Sequence, residues 1–225
     1  MSAGTTPVPP AAVDAALGPV RVLPVVSLDD AAAAVPLAEA LAEGGITAVE
    51  ITFRTAEAAK AIEAIAASCP QTRVGAGTLL TPDDVRRAVD AGARFGISPG
   101  WDPQTEAAAA EAGLPYIPGV ATAAEAQQRL AQGYRTLKFF PAEAAGGRGA
   151  LRQLLAPFRR LEPSFIPTGG IGPGSLSDWL SIPGVRAVGG SWLAPEKLIA
   201  AGDWNGIAAL ASDAVAASSP REDLP

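Results

Sequence analysis

The chain has 225 residues, 48% of them hydrophobic and 18% charged, and carries a net charge of -6. That balance is too apolar for a disordered chain, and the acidic charge, with no basic run, excludes a general nucleic-acid binder, which neutralises phosphates with clustered Lys and Arg. Histidine is absent and Cys69 is the single cysteine. This excludes an internal disulfide and His-based triads and leaves a zinc site almost nothing to build on, so no metal and no cofactor is expected.

Residues 1–18 read as a Pro-rich leader, mostly flexible with a short helical stretch, and lack the basic start and apolar run of a targeting segment. No segment reads as a membrane span, and a cytoplasmic protein is expected. From residue 20 onward, short runs rich in Val, Ile and Phe alternate with Ala-rich stretches of helical period. Strands are predicted at 20–26, 48–53, 73–78, 95–98, 116–118, 136–140, 164–168 and 186–190. Helices between them have start signals at Ser27-Leu28-Asp29-Asp30, Thr81-Pro82-Asp83-Asp84 and Thr122. Gly44, Gly92, Gly113 and Gly133 are placed to close helices. Residues 218–225 read as a flexible tail. Strictly alternating strands and helices predict a parallel sheet, and eight such units predict an α/β fold, a single (β/α)8 TIM barrel over residues 19–217; an open doubly wound sheet is the alternative.

Without histidine, acid-base and nucleophilic work falls to Lys, Glu, Asp, Tyr, Ser or Thr. Lysine occurs only at Lys60, Lys138 and Lys197. Lys60 lies mid-helix and Lys197 at a helix start, so both read as solvated surface charges. Lys138 instead stands in Thr136-Leu137-Lys138-Phe139-Phe140, where period-two alternation sends Leu137 and Phe139 outward to the helices and Lys138 and Phe140 inward. A lysine inside a barrel must be paired or shed its proton, and a neutral amine can attack a carbonyl to form a Schiff base. A structural ion pair is the competing explanation. On the second strand, Glu50, Thr52 and Arg54 face inward by the same alternation, offering a carboxylate to move protons and a guanidinium to bind a carboxylate. Glu50 paired with Arg54 for structure alone is the bland reading there. Glycine pairs at Gly169-Gly170 and Gly189-Gly190 end the last two strands, where backbone N–H groups in this architecture often meet a phosphate. Gly75-Ala76-Gly77-Thr78 lacks the third glycine of a dinucleotide fingerprint, and Thr78 would offer a hydroxyl at the rim.

Taken together, Glu50-Ile51-Thr52-Phe53-Arg54-Thr55, Gly75-Ala76-Gly77-Thr78, Ile97-Ser98-Pro99-Gly100, Lys138-Phe139-Phe140-Pro141-Ala142-Glu143, Pro167-Thr168-Gly169-Gly170-Ile171 and Gly189-Gly190-Ser191-Trp192-Leu193 carry a resemblance. In order and spacing, over residues 20–217, the chain resembles the 2-keto-3-deoxy-6-phosphogluconate and 4-hydroxy-2-oxoglutarate aldolases. The resemblance implies Lys138 as the Schiff-base residue and Glu50 as its proton shuttle. Arg54 and Thr78 would bind the pyruvyl carboxylate, and Pro99, Phe140 and Thr168 would complete the substrate-binding set. Gly169, Gly170, Gly190 and Ser191 would surround a phosphate. It also implies a phosphorylated ketoacid substrate, pyruvate as product, a homotrimer and a place in the Entner-Doudoroff pathway. A phosphosugar isomerase or epimerase using Glu50 as base, and a non-catalytic sugar-phosphate-binding barrel, are the rival functions.

Overall fold

The structure is a computed structural model that describes residues 8–219. Its strands are β1 (Val22–Val26), β2 (Ala48–Thr52), β3 (Arg73–Gly77), β4 (Gly96–Ile97), β5 (Tyr116–Ile117), β6 (Gly119–Val120), β7 (Thr136–Phe139), β8 (Ser164–Pro167) and β9 (Val188–Gly190). The helices are α1 (Pro10–Leu17), α2 (Ala34–Glu43), α3 (Ala58–Ser68), α4 (Pro82–Asp90), α5 (Pro103–Glu111), α6 (Ala123–Ala131), α7 (Gly147–Leu155), α8 (Leu176–Leu180), α9 (Glu196–Ala201) and α10 (Trp204–Ser218). Among the described residues no helix is long and apolar enough to cross a membrane.

All strand pairs are parallel. They form a curled α/β arrangement of a six-stranded sheet, ordered β5-β4-β3-β2-β1-β9, and a three-stranded sheet, ordered β6-β7-β8. Isolated bridges from Phe165 to Val185 and from Thr168 to Gly189 connect the two where β8 meets β9. The fifth predicted strand is divided at Pro118, which has no N–H for a ladder. Tyr116 and Ile117 pair with β4, while Gly119 and Val120 pair with β7.

The start signals act as expected. Thr81 and Thr122 each form a capping box, with Asp84 and Glu125 respectively, an arrangement in which each cap contributes about 1 kcal/mol. Asp30 caps a short 3-10 turn, Ala31–Ala33, that leads into α2. Gly92, Gly113 and Gly133 have positive φ at helix ends, but Gly44 does not; Gly45, at φ 90°, takes the left-handed position instead. Gly44 meets a different need, because a Cβ there would overlap Ala211 and the Ala208 carbonyl of α10.

Two apolar layers follow from strand alternation. Val49, Ile51, Leu137 and Phe139 join the cluster that includes the helices. Leu23, Phe95, Ile97, Ile117, Ile166 and Ala187 form a second, interior cluster with Val13 and Leu17 of α1. The short helical stretch expected within 1–18 is residues 10–17, and it is packed, because Val13 and Leu17 recur at i and i+4 and bury one face; residues 1–7 lie outside the described residues. The ion pair of Asp14 with Arg186 and the bond from Arg186 Nη2 to the Gly18 carbonyl, 2.8 Å, hold it in place. The expected tail lies outside the described residues from 220 on, and Ser218 still belongs to α10.

Candidate active site

Lys138 sits on β7, a four-residue strand of β-branched, apolar and aromatic residues around one cation, and is 4% exposed. Its Nζ donates to Oε1 of Glu50 on β2 at 3.1 Å; Glu50 is 1% exposed. The pair thus spans the interior from the three-stranded sheet to the six-stranded one. Gly77, on β3 beside β2, makes the room, since a Cβ there would run into the Glu50 carboxylate. The other oxygen, Oε2, is buried and has no hydrogen-bond partner among the described residues. An unmet buried carboxylate oxygen beside a buried ammonium costs folding energy, and it is a free acceptor for a reacting proton.

Thr52 does not turn its hydroxyl to Lys138 but bonds to Ser27 Oγ at 2.7 Å and to the Val26 carbonyl at 3.1 Å, fixing β2 against the end of β1. The Lys138 ammonium also lies 5.5 Å from the centroid of the Phe140 ring, within cation-π range.

Phe140 leads to a cleft of about 560 Å³. Of the residues expected in the site, Arg54, Phe140, Thr168, Gly169, Gly170, Gly190 and Ser191 line it. Lys138 approaches it through Phe140, and neither Lys138 nor Glu50 is among its lining residues. Thr78 and Pro99 do not line it either. Thr78 follows Gly77 at the end of β3 in the left-handed region, at φ 58°, an uncommon and strained conformation for a β-branched residue. The carbonyl of Pro99 packs so closely on Gly119 that no Cβ fits there.

Gly169 and Gly170 have φ of 106° and 79°. Among the described residues the N–H groups of Gly170 and Ile171 donate to no protein acceptor. Successive unpartnered N–H groups on a left-handed turn form a concavity for an anion. Arg54 is exposed at the same cleft with no ion-pair partner among the described residues. The cleft also holds residues not singled out from sequence: Asp29, Glu196 and Trp192, whose indole N–H is buried and has no partner among the described residues. Trp192 lies inside the Gly189-Gly190-Ser191-Trp192 motif, which was the available signal; Asp29 was visible only as part of a helix start.

A buried lysine-carboxylate pair within a curled parallel sheet, next to a glycine-lined cleft, has the parts that Schiff-base chemistry on a keto group needs. Comparison with known proteins narrows that chemistry. The family model described as KDPG and KHG aldolase matches residues 13–210. The 2-dehydro-3-deoxy-phosphogluconate aldolase of Treponema pallidum is 46% identical over 195 residues, covering 87% of this chain and 92% of that protein. The KHG/KDPG aldolase of Escherichia coli strain K12 is 43% identical over 194 residues, covering 86% and 90%. The crystal structure of KDPG aldolase from Legionella pneumophila, with pyruvate captured at low pH as a covalent carbinolamine intermediate, superposes with a TM-score of 0.85 at 40% identity, covering 92% of this chain and 98% of that one. The chain belongs to the KDPG and KHG aldolase family.

Proposed function

We propose that Lys138 is the Schiff-base residue of an aldolase that cleaves 2-keto-3-deoxy-6-phosphogluconate to pyruvate and glyceraldehyde 3-phosphate, and 4-hydroxy-2-oxoglutarate to pyruvate and glyoxylate. The observation that carries this reading is the 3.1 Å contact between Lys138 Nζ and Glu50 Oε1 in a buried interior. The pyruvate carbinolamine captured in the Legionella pneumophila relative supports it.

In the proposed sequence, Lys138 gives a proton to Glu50 and its neutral amine adds to the C2 keto carbon, forming a carbinolamine. Glu50 returns the proton to the carbinolamine hydroxyl, water leaves, and the iminium becomes an electron sink. Glu50 then takes the C4 hydroxyl proton as the C3–C4 bond breaks, and the bonding electrons pass into the iminium to give an enamine. The aldehyde departs. Protonation of the enamine at C3 and hydrolysis of the imine release pyruvate and restore the amine.

We assign Arg54 to the pyruvyl carboxylate, which a guanidinium binds in bidentate fashion. Thr78 joins it in this reading, because it follows the glycine that packs on Glu50. Phe140, Thr168 and Pro99 shape the surrounding walls, and Gly169, Gly170, Gly190 and Ser191 receive the phosphate. The strained Thr78 backbone and the unpartnered N–H groups support these assignments. We further read the two sheets as arcs of one (β/α)8 barrel, supported by the bridges between β8 and β9 and by the 116–120 segment that serves both sheets. The same reading makes the protein a cytoplasmic homotrimer of the Entner-Doudoroff pathway, with light scattering to check the trimer.

The test is reduction with borohydride in the presence of pyruvate, followed by peptide mass mapping. A reduced pyruvyl adduct is expected on Lys138. An adduct on Lys60 or Lys197, or none, would overturn the assignment.

A further inference from the structure

We propose that Glu143 is a positioning residue for the Gly169-Gly170 turn, and through that turn sets selectivity for phosphorylated over unphosphorylated ketoacid substrates. The inference rests on the reading of that turn as the phosphate subsite. Glu143 lies beyond β7, on the segment that leads into α7, and among the described residues its hydrogen bonds go elsewhere than to Lys138 or Glu50. Its backbone N–H donates to the Gly169 carbonyl at 3.1 Å, next to a bond of 2.8 Å from Ala142 N–H to the Thr168 carbonyl. Its Cβ and Cγ fill the space in front of Gly170: a Cβ on that glycine would stand 2.9 Å and 3.0 Å from them.

The side chain continues past the turn. Oε1 of Glu143 accepts a hydrogen bond from Nε1 of Trp179 at 3.1 Å, and Trp179, on α8, is fully buried. Glu143 therefore grips both ends of the segment that starts at Gly169 and returns through α8. The ion pair of Arg148 with Asp178 ties α7 to α8 alongside it.

Two left-handed glycines in succession have wide conformational freedom, so keeping the Gly170 and Ile171 N–H groups convergent requires contacts from outside the turn. A neutral hydrogen-bond acceptor would serve the indole as well as an anion does. A negative charge near an anion subsite is unfavourable for binding, which indicates that the group is there for what it holds and not for what it attracts. Hence removing the acceptor should loosen the turn, whereas removing only the charge should not.

The experiment measures pyruvate release by coupled assay for the intact protein and for Glu143→Ala, Glu143→Gln and Trp179→Phe, on both 2-keto-3-deoxy-6-phosphogluconate and 4-hydroxy-2-oxoglutarate. Expected for Glu143→Ala and Trp179→Phe is a rise of about tenfold in KM for the phosphorylated substrate, the scale of a sub-ångström misplacement, with kcat and KM for the unphosphorylated one unchanged. Glu143→Gln should keep the unaltered protein's KM. Equal losses on both substrates, or no change in Glu143→Ala, would overturn the proposal. Competition by inorganic phosphate in the unaltered protein separates the two levels: if phosphate does not compete, the phosphate subsite itself is wrongly assigned and the role of Glu143 falls with it. If it competes and Glu143→Ala behaves as the unaltered protein, only the role of Glu143 falls.

Discussion

Lys138 Nζ lies 3.1 Å from Glu50 Oε1, 88 residues away in sequence and on the other sheet. Desolvating two charges consumes most of what their attraction returns, so a pair like this stabilises little on balance. Removing one member, by contrast, leaves the other charged and alone. Lys138→Met should abolish pyruvate release and lower stability by about 3–5 kcal/mol in urea denaturation, while Lys138→Met combined with Glu50→Gln should recover much of the stability and none of the activity. A single variant as stable as the unaltered protein would mean that the pair is solvated. Lys138→Arg keeps the charge and loses the nucleophile; appreciable turnover in that variant would favour an enolising isomerase over an aldolase.

Gly77 should be intolerant of any side chain. A Cβ there overlaps the Glu50 carboxylate, which has no slack because it is buried on β2. Gly77→Ala should reduce kcat about 100-fold by displacing that carboxylate and cost about 1–3 kcal/mol through overpacking. Steady-state kinetics and thermal melting check both; an unchanged kcat would show that the carboxylate has no fixed position.

The cluster between α5 and α6 offers a stability prediction away from the cleft. Trp101 Nε1 donates to Glu106 Oε2 at 2.9 Å, and the Arg129 guanidinium lies 3.6 Å from the Trp101 ring centroid and 3.9 Å from the same carboxylate oxygen. Burial and the Glu106 carboxylate raise the Tyr134 phenol far above the ordinary tyrosine range, and burial pushes Tyr116 up to about 12. Glu106→Gln removes the nearest counter-charge of the buried Arg129 and leaves it only the weaker attraction of Glu125, which should cost about 3 kcal/mol, seen as a lower urea midpoint with the slope and kcat unchanged.

Acid should unfasten two helix starts. The Thr105 N–H, against slight desolvation and with help from the Thr105 hydroxyl and the Gln104 N–H, holds the Asp102 carboxyl below its usual range. Burial pushes Glu125 up, but the N–H groups of Ala121 and Thr122, the Thr122 hydroxyl and Arg129 together outweigh it and hold that carboxyl low. A carboxyl depressed in the folded state adds stability above its unfolded pKa, about 3.9 for Asp and 4.3 for Glu, and loses it as pH falls through the folded value. Melting temperature should therefore fall from about pH 5 downward, and Asp102→Asn should make that acid limb shallower. Identical limbs in both proteins would show that Asp102 is not linked to folding.

What could be read in advance is what local periodicity encodes. Alternation through 136–140 turns Leu137 and Phe139 to the helices and Lys138 to the interior, and the same rule turns Glu50 to meet it. Thr81 and Thr122 were legible because a capping box lies within four residues. Contacts made at a distance leave no such trace. Nothing near Pro118 says that one segment will pair with two sheets, and nothing near Gly44 announces α10, which is what requires a glycine there in addition to the left-handed Gly45. The bond from Trp179 to Glu143 joins residues 36 apart, and the leader gave no sign of the interior cluster that makes Val13 and Leu17 core residues. Thr78 and Pro99 stand in recognisable motifs, but the path of the chain beyond a strand end decides what lines a cleft.

Helix α1 carries a consequence for how the molecule is made. Val13 and Leu17 close the same interior that Ile166 and Ala187 fill, and Asp14 reaches Arg186 across 172 positions. During synthesis α1 cannot complete these contacts until the residues through Ala187 have emerged from the ribosome. Such long-range closure is slow and leaves apolar surface exposed meanwhile, so Val13 and Leu17 stay incompletely covered until that late segment arrives.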